Sequence, residues 1–576
     1  MAEAILTNYS AKYHDPTQRE RDLVEKIFKL FENSNYYRVT FATQWEETAE
    51  VLWPNQRNTF YKWNVNFPGV KKTDRQIDMS GMIALNRFAA ILDSLLTPVN
   101  MKWHTLSADN EYLKKNRAVQ LWFEQATNVL FKQRYRPTAN FATNNHMSFK
   151  NLGAFGNAPM FIDQLVGMRG EKLNGLRYMA LPVGQVFIRQ NHQGLVDAFI
   201  RAWRMTAQQV VKLWPDRAHP KMWEAALAGS QQLFDFFHCV MPNDEYEPYR
   251  LDEKGKLFSS VYMDCSNRCI MSEGGYNSFP MPYGRYENAP EEVYARGVAQ
   301  NILPTLKTLN AQKRVFLKSG HRIADPVLLT KDDGLVDFSL KPGVLNRGGL
   351  DENGQYLVRP LETSGNIAIT KEMMDEERGI VNDSFLVSLF QILTETPQMT
   401  ATEVIERINE KGILIAPDVS RQQSEYLEPM IDRELDLLQD MRLLPPMPPI
   451  LREAKGEYSV VYTSPLSKMM RAQEAAGFMR TLETALNYAS QAQDPSVLDN
   501  FDPDIAFPQI ADIQGVPISW MRSDEAKQQI RQQRSAAAQR QMQAQEAPGQ
   551  AALMKAQAVA QKEGLQPQQI IGGQQA

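Results

Sequence analysis

The chain has few of the residues that mark secreted or membrane-inserted proteins. Its 576 residues include three cysteines, Cys239, Cys265 and Cys269, too few for a disulfide framework and in keeping with a reducing compartment. No run of about 18 apolar residues is present, so we expect no transmembrane helix. Residues 1–16 lack the basic stretch and apolar core of a signal peptide. We therefore expect a protein that folds in the cytoplasm and has no membrane partner.

Motifs for nucleotide binding and for hydrolysis are also missing. No Gly-x4-Gly-Lys-Ser/Thr phosphate loop occurs, and the glycines of residues 152–156 lack the third glycine of a dinucleotide fingerprint. The seven histidines do not accompany a Gly-x-Ser-x-Gly nucleophile turn. We predict that the chain is not an enzyme, has no catalytic residues and binds no cofactor.

Two groups of residues could be considered as metal ligands. His238 and the three cysteines include a Cys-x3-Cys pair at 265–269, which is an acceptable spacing for zinc. Isolated cysteines are more often small buried hydrophobic residues, so we expect no metal site. The Asp-rich segments 331–334 and 351–354 are typical of turns and lack the alternating ligands of a calcium loop. Divalent ions between subunits stay an open alternative.

The overall charge is close to balanced. There are 63 Lys and Arg against 67 Asp and Glu, for a net charge of −4 and a pI of about 6.1. A protein that grips the DNA backbone tightly has a basic face, which this composition does not indicate. A protein along which DNA must slide has no need of such a face.

Hydrophobic periodicity predicts an α+β protein. Helical spacing covers residues 17–53 and 78–96, and short alternating runs separated by turns indicate a β-rich region over 150–290. A long helix is predicted at about 289–318 and a second at about 369–393, with loop and strand between them. This helix, insert and helix order is the clearest feature of the second half of the chain.

Prolines, glycines and capping residues predict the helix ends. Pro290 suits the first turn of the long helix, Pro304 predicts a kink inside it, and Gly320 predicts its end. Thr400-Ala-Thr-Glu403 matches a capping box, and Ser420 is expected to begin a further helix that stops before Pro445.

The C-terminal segment has a biased composition. Of the 54 residues from Ser523 to Ala576, 28 are Gln or Ala. Residues 525–546 favour a helix because they include strong helix formers and no breakers. Beyond Pro548-Gly549 we expect a low-complexity tail that is disordered on its own.

One basic cluster lies on the long helix and its exit. A charged run of this kind is most often a solvated helix face, but spaced cations can also make weak phosphate contacts that do not depend on DNA sequence. Both interpretations stay open at this point. The cations are Lys307, Lys313, Arg314, Lys318, His321 and Arg322.

Several segments, in a fixed order, resemble the head-to-tail connector (portal) proteins of short-tailed bacteriophages. The resemblance spans roughly residues 19–520, and each segment alone is weak evidence because none is catalytic. The segments are Trp45–Pro54, Ala84–Leu106, Leu152–Asn157, Pro282–Arg285, Leu306–Asn310, Ala324–Leu329, Glu395–Glu403 and Arg421–Tyr426.

This resemblance implies a fold with a wing, a two-helix stem, a clip and a C-terminal crown, assembled as a ring of usually twelve copies around a channel. Lys307, Lys313, Arg314, Lys318 and Arg322 would contact DNA. The channel loop would be formed by Thr394, Glu395, Thr396, Pro397, Gln398, Met399 and Thr400. The implied ranges are 1–287 for the wing, 288–320 and 365–393 for the stem helices, 321–364 for the clip, 394–400 for the channel loop, 401–522 for helices returning to the wing, and 523–576 for a crown or disordered tail.

The resemblance also implies a function. A ring at one capsid vertex of the virion, assembled in the host cytoplasm, would pass double-stranded DNA during packaging and ejection. The terminase large subunit and then a tail adaptor would dock on it, and major capsid, scaffolding and internal core proteins would be further partners. The alternatives are another virion structural or scaffolding protein and, from a different class, a soluble hydrolase with a new site.

Overall fold

The computed structural model describes residues 15–60, 69–167, 171–330, 339, 341–346, 349–350, 353–361, 367–387, 417–453, 458–492, 495–514, 516 and 518–562. The chain divides into two compact units. Unit 1 comprises residues 1–106, 125–446 and 460–501, and unit 2 comprises residues 107–124, 447–459 and 502–576.

Helices and strands are mixed along the chain, as the α+β prediction expected. The described helices are α1 (Gln18–Val51), α2 (Ser80–Leu96), α3 (Glu111–Lys114), α4 (Arg117–Arg134), α5 (Phe141–Phe155), α6 (Ala207–Leu213), α7 (Pro220–Leu227), α8 (Val298–Asn301), α9 (Leu303–Ala324), α10 (Ile367–Ser384), α11 (Glu428–Asp440), α12 (Pro449–Glu453), α13 (Pro465–Ala492), α14 (Pro503–Gln514) and α15 (Asp524–Lys562).

The strands form several antiparallel ladders. A five-stranded sheet has the order β4-β5-β6-β7-β8, a three-stranded sheet has the order β3-β2-β9, and β10-β11 and β1-β12 form two-stranded sheets. The strands are β1 (His104–Ala108), β2 (Asn157–Val166), β3 (Lys172–Ala180), β4 (Val186–Gln190), β5 (Val196–Thr206), β6 (Leu233–Pro242), β7 (Phe258–Asp264), β8 (Cys269–Tyr276), β9 (Tyr283–Arg285), β10 (Leu328–Thr330), β11 (Val358–Pro360) and β12 (Tyr458–Tyr462).

The five-stranded sheet is covered on both faces. Alternate residues of its strands point to opposite sides, so one set packs against α1 and the other against α6 and α7. On the α1 side the ring of Phe31 lies 4.6 Å from that of Phe237 and 4.7 Å from that of Phe187. Each fully buried aromatic side chain of this kind stabilises the fold by about 1.5–3 kcal/mol.

Helix α1 begins at a capping box. The Thr17 side chain accepts from the backbone N–H of Glu20, and the Glu20 carboxylate accepts from the backbone N–H of Thr17. The helix then runs without a break to Val51, two residues before Trp53 and three before Pro54. The expected helical region at 17–53 is therefore one continuous helix.

Helices α2 and α5 approach each other closely. A Cβ atom on Gly153 would lie within 2.9 Å of the Leu85 side chain and 2.8 Å of the Phe88 ring. Glycine is needed at this position because a larger residue would push the two helices apart. This contact brings the end of α5, which belongs to the Leu152–Asn157 segment, against the buried face of α2.

A buried ion pair joins α4 to α11. Arg134 and Glu434 are both fully buried, and the Glu434 carboxylate also accepts from the Tyr178 hydroxyl. Burial alone would lower the pKa of Arg134, but the Glu434 carboxylate outweighs it and raises that pKa. Burial and the same carboxylate raise the pKa of Tyr178 well above its usual value. Arg134 therefore stays charged in a site from which water is excluded.

The buried amide of Asn157 connects the end of α5 to the segment that leads into α9. Its Nδ2 donates to the carbonyls of Phe155 (2.7 Å) and Ala295 (2.9 Å). Its Oδ1 accepts from the Tyr283 hydroxyl (3.1 Å) and the Ala295 N–H (3.2 Å). All four hydrogen bonds available to an amide are made, and the side chain is fully buried.

Gly156 makes this junction possible. It ends α5 with a φ of +73°, and a Cβ atom there would lie 2.3 Å from the carbonyl carbon of Arg296. Only glycine combines this backbone conformation with such a close approach. The turn predicted at Leu152–Asn157 is therefore the end of a helix followed directly by a strand.

Two other segments of the resemblance meet at the same place. Arg285 makes a bidentate ion pair with Glu425, at 2.7 and 3.0 Å, and the Gln422 side chain donates to the Arg285 carbonyl at 2.6 Å. The Trp45 indole donates to the Phe155 carbonyl at 3.1 Å. Segments far apart in sequence thus form one buried polar junction.

Several predicted helix boundaries were wrong. The long helix begins at Leu303, not at 289, because residues 287–296 form a loop in which Glu291 has a φ of +66°. Pro304 lies in the first turn, where its missing N–H costs nothing, so the helix has no kink there. Gly320 does not end the helix, which continues to Ala324, because one interior glycine costs only about 1 kcal/mol.

Two later predictions also need correction. Residues 417–422 are already helical, so Ser420 does not begin a helix, and a π-helical turn at Gln423–Leu427 leads into α11. The break before Pro445 is confirmed, since α11 ends at Asp440. In unit 2, α15 runs through Pro548-Gly549 to Lys562, beyond the point where disorder was expected. Residues 400–416 and 563–576 lie outside the described residues.

The Asn157 junction generates a stability prediction. We expect Asn157→Asp to lower the free energy of unfolding by about 3 kcal/mol or more, because a carboxylate cannot donate to Phe155 and Ala295 and buries a charge. Chemical denaturation of the full chain measures this.

Asn191→Asp is the matched control. The Asn191 Oδ1 accepts from the backbone N–H groups of Gln193 (2.9 Å) and Leu195 (3.0 Å), and a carboxylate oxygen can accept the same two bonds. The substitution should therefore change the free energy of unfolding by less than about 0.5 kcal/mol. Equal losses in the two variants would contradict the role given to the Asn157 donors.

Candidate functional site

Helices α9 and α10 form an antiparallel pair. They pack against each other, and the hairpin β10-β11 joins the end of α9 to the start of α10, with Leu328 opposite Pro360. The helix, insert and helix order expected from the sequence is present. The insert expected at 321–364 begins later than predicted, because α9 extends to Ala324.

Both helices are attached to the segment that precedes α2. Asn310 on α9 accepts from the backbone N–H of Ile77 (2.7 Å) and Asp78 (3.1 Å). Arg378 on α10 donates to the Asp78 carboxylate at 2.9 Å. Burial alone would raise the pKa of Asp78, but hydrogen bonds from Ser80 and Arg378 outweigh it and lower that pKa. Residues 77–78 therefore bind both helices, and they fix Asn310 of α9 beside Arg378 of α10.

The start of α9 is packed against α1 and α2. A Cβ atom on Gly81 would lie 2.8 Å from the Leu306 side chain and 3.0 Å from that of Leu52. Leu306 and Leu309 are the buried residues of α9, and most of the helix beyond them is exposed. The pair therefore projects from the body of unit 1.

The structure separates the predicted cations into groups. Lys307 is paired with Glu47 on α1 at 2.6 Å, so it is already partly neutralised. Lys313 is half-buried and lies seven residues, or two helical turns, after the buried Leu306, so both are on the same face of α9. Its ammonium is 5.5 Å from the centre of the Phe316 ring. Neither residue is a simple exposed point charge.

The other cations follow one exposed face of α9. Arg314, Lys318 and Arg322 recur every four residues and are exposed, and within the described chain none of them has an ion-pair partner. His321 is exposed beside them. These cations can make weak phosphate contacts, or they can pair with acidic groups of another chain.

Sequence reasoning missed the acidic character of α10. Between Ile367 and Ser384 it has five acidic residues and two basic ones, and Glu372, Glu376 and Asp383 share one exposed face. Met374 and Val381 are buried on the opposite side. The four- and seven-residue spacing of these acids is the signal that could have revealed the face.

Other predicted site residues have different outcomes. The channel-loop residues Thr394, Glu395, Thr396, Pro397, Gln398, Met399 and Thr400 lie outside the described residues. Around the β10-β11 hairpin, Leu329, Leu350 and Tyr356 are exposed. Exposed apolar groups at the tip of a projection are typical of a surface that contacts another protein.

The residues weighed for zinc are not brought together. Cys239 packs in the cluster on the α1 side of the five-stranded sheet, whereas Cys269 packs on the other side with α6 and α7. His238 stacks on Tyr262 and contacts the Ser260 hydroxyl, and burial lowers its pKa to about 3. Burial raises the pKa of the Cys239 thiol to about 12. Across the described ranges no group of three or more His, Cys, Asp or Glu side chains is placed to hold a metal ion.

The described helices also bear on membrane contact. None of them is long and apolar enough to cross a bilayer.

Comparison with known proteins gives consistent matches over most of the chain. A family model described as "Bacteriophage head to tail connecting protein" matches residues 24–521. The portal protein of Salmonella phage epsilon15 is 25% identical over 535 residues, covering 89% of this chain and 91% of that protein. The probable portal protein of Bordetella phage BPP-1 is 25% identical over 525 residues, covering 87% of this chain and 90% of that protein.

Proposed function

The chain belongs to the bacteriophage head to tail connecting proteins, and from this premise we propose how its described parts serve a portal. The function is that of a phage portal, the head-tail connector of the virion. The family match over residues 24–521 carries this conclusion. The projecting α9–α10 pair with its hairpin supports the finer proposal that follows.

Copies of the chain assemble into a ring, usually of twelve, at one capsid vertex. The body of unit 1 around the five-stranded sheet is the wing, α9 and α10 are the stem, and the β10-β11 hairpin is the clip. The helices of residues 417–440 return to the wing, where Arg285 and Glu425 pair. The Gln- and Ala-rich α15 is the crown.

The ring is passive in DNA transport. The sequence has no phosphate loop, so the energy comes from a terminase large subunit that docks on the clip, and a tail adaptor follows it there. The exposed residues Leu329, Leu350 and Tyr356 around the hairpin are suited to such contacts. Major capsid, scaffolding and internal core proteins would meet other parts of the subunit.

The stem lines a channel for double-stranded DNA. A few exposed cations on a chain of net charge −4 give weak, salt-sensitive contacts that do not depend on sequence, so the duplex slides. Of the five cations assigned to the channel, Lys307 pairs with Glu47 and Lys313 lies on another face. Arg314, Lys318 and Arg322 are exposed on one face of α9, and Arg322, nearest the exposed end of the helix, is the channel-wall cation of this proposal.

Electron microscopy of the purified full chain tests the ring. We expect closed rings with a central opening at least as wide as a DNA duplex, alone or with capsid and scaffolding proteins added. The apolar side chains exposed on the stem helices, such as Val315 and Met373, favour association. Monomers at every concentration, with and without these additions, would contradict the proposal.

Arg322 tests the channel wall. It lies near the exposed end of α9, so Arg322→Gln should leave ring formation unchanged and reduce DNA packaging or retention several-fold. Lys212→Gln, an exposed cation on α6, is the control that should change neither. Both variants are compared in a packaging assay with DNA protected from nuclease as the readout. Equal amounts of nuclease-protected DNA in the two variants would contradict the role of Arg322 in the channel wall.

The channel loop remains a proposal from the resemblance. Residues Thr394–Thr400 would narrow the bore around packaged DNA, with Gln398 and Thr400 facing it. Deleting residues 394–399 should then increase genome loss from filled capsids. Full retention of the genome by capsids with the deletion would refute this role.

A further inference from the structure

The two stem helices have opposite charges. Helix α9 has five Lys and Arg and no acidic residue, whereas α10 has five acidic and two basic residues. Within the described chain no ion pair joins the two sets, and the basic and acidic faces are both exposed. Each subunit therefore presents two unpaired surfaces of opposite sign on the same projection.

The acidic face of α10 also has an apolar border. Ile369, Met373 and Ile380 are 54%, 49% and 44% exposed and recur at helical spacing beside Glu372 and Glu376. An acidic surface repels the phosphate backbone, and exposed apolar side chains gain nothing from water or DNA. The partner of this face must therefore be a protein surface that offers cations and apolar side chains.

The exposed face of α9 offers both. Arg314 and Lys318 are exposed, and Val315, next to Arg314, is 58% exposed. The two charges on α9 are four residues apart, as are Glu372 and Glu376 on α10. In an α-helix this separation corresponds to about 6 Å along the axis for each pair. The two faces therefore match in sign and in spacing.

The heights of the charges also match. Asn310 and Arg378 both contact Asp78, so these two positions lie at about the same level. From that level, Arg314 lies about 6 Å and Lys318 about 12 Å toward the hairpin, at 1.5 Å per residue. Glu376 lies about 3 Å and Glu372 about 9 Å in the same direction, because the helices are antiparallel. Each cation is thus offset from one acid by about 3 Å, within the reach of an arginine or lysine side chain.

We infer that α10 of one subunit docks on α9 of a second copy of this chain, with Arg314 facing Glu376 and Lys318 facing Glu372. This inference rests on the proposed ring, because cyclic symmetry places neighbouring subunits at the same height along the axis and so preserves the match within one subunit. The contact is heterologous, since each copy uses α9 on one side and α10 on the other. It leaves Arg322 as the cation without an acidic neighbour, which keeps the channel wall mildly charged.

Charge reversal and mixing test the contact in the full chain. One variant is Arg314→Glu with Lys318→Glu, and the other is Glu372→Lys with Glu376→Lys. Alone, each variant brings like charges together at every interface. The protein concentration at which half of the chains are in rings should therefore rise about tenfold or more. Mixed in equal amounts, they offer opposite charges at every interface of an alternating ring, and rings should form at close to the native concentration.

Two controls separate folding from assembly. Lys212→Glu with Lys221→Glu makes the same change of charge on exposed wing positions and should assemble as the native chain does. Thermal unfolding of the reversed variants below the assembly concentration should match that of the native monomer. Ring formation by each reversed variant should also respond to added salt in the opposite sense to the native ring, because salt screens repulsion as well as attraction.

The outcomes distinguish this inference from the proposed function. Failure of each reversed variant alone and recovery in the mixture support the α9–α10 contact. If the native chain and each reversed variant alone all form normal rings, the α9–α10 contact is wrong and the proposed portal ring still stands. Failure of the reversed variants without recovery in the mixture also overturns the pairing. A native chain that never forms rings overturns the ring, and the contact with it.

Discussion

The position of the α9–α10 pair depends on one buried amide. Asn157 joins the end of α5, the start of β2, the Tyr283 hydroxyl and the backbone at Ala295, only a few residues before α8 and α9. An amide with all four hydrogen bonds satisfied in a dry site has one favourable geometry, and losing any partner leaves a buried polar group unpaired. Gly156 adds a steric condition, since its positive φ and contact with Arg296 exclude any side chain. The direction in which α9 leaves the body therefore follows from this junction.

Electrostatics differ between the interior of unit 1 and its projecting helix pair. The buried pairs Arg134–Glu434 and Arg285–Glu425 are fully or nearly enclosed and connect distant parts of the chain. Such pairs add little net stability, because desolvation offsets much of their attraction. On α9 and α10 the exposed charges Arg314, Lys318, Arg322, Glu372 and Glu376 are separated by sign and have no ion-pair partner within the described chain. That arrangement suits weak contacts with charged groups of other molecules, as we propose for the neighbouring subunits and for DNA.

Local signals predicted the elements better than their ends. Apolar spacing identified α1, α2, the β-rich region and the α9–α10 pair, because periodicity depends only on neighbouring residues. Pro290 and Pro304 were assigned wrongly because both suit a first turn, and only the loop at 287–296 and its bridge between Glu287 and Arg296 decide between them. Pro548 did not end α15, although proline usually stops a helix.

The amino-acid sequence by itself determined the mixed α and β class, the order of helix, insert and helix, and the family. Apolar periodicity and the order of motifs along the chain can be read without knowing which distant residues are in contact. Tertiary structure alone decided that Trp45, Leu152–Asn157, Pro282–Arg285 and Arg421–Tyr426 meet at one junction, because hydrogen bonds between residues more than a hundred positions apart leave no local pattern. It also decided which cations of α9 are exposed. Lys307 and Arg314 are indistinguishable as charges in a sequence, and only packing against α1 places Glu47 beside one of them.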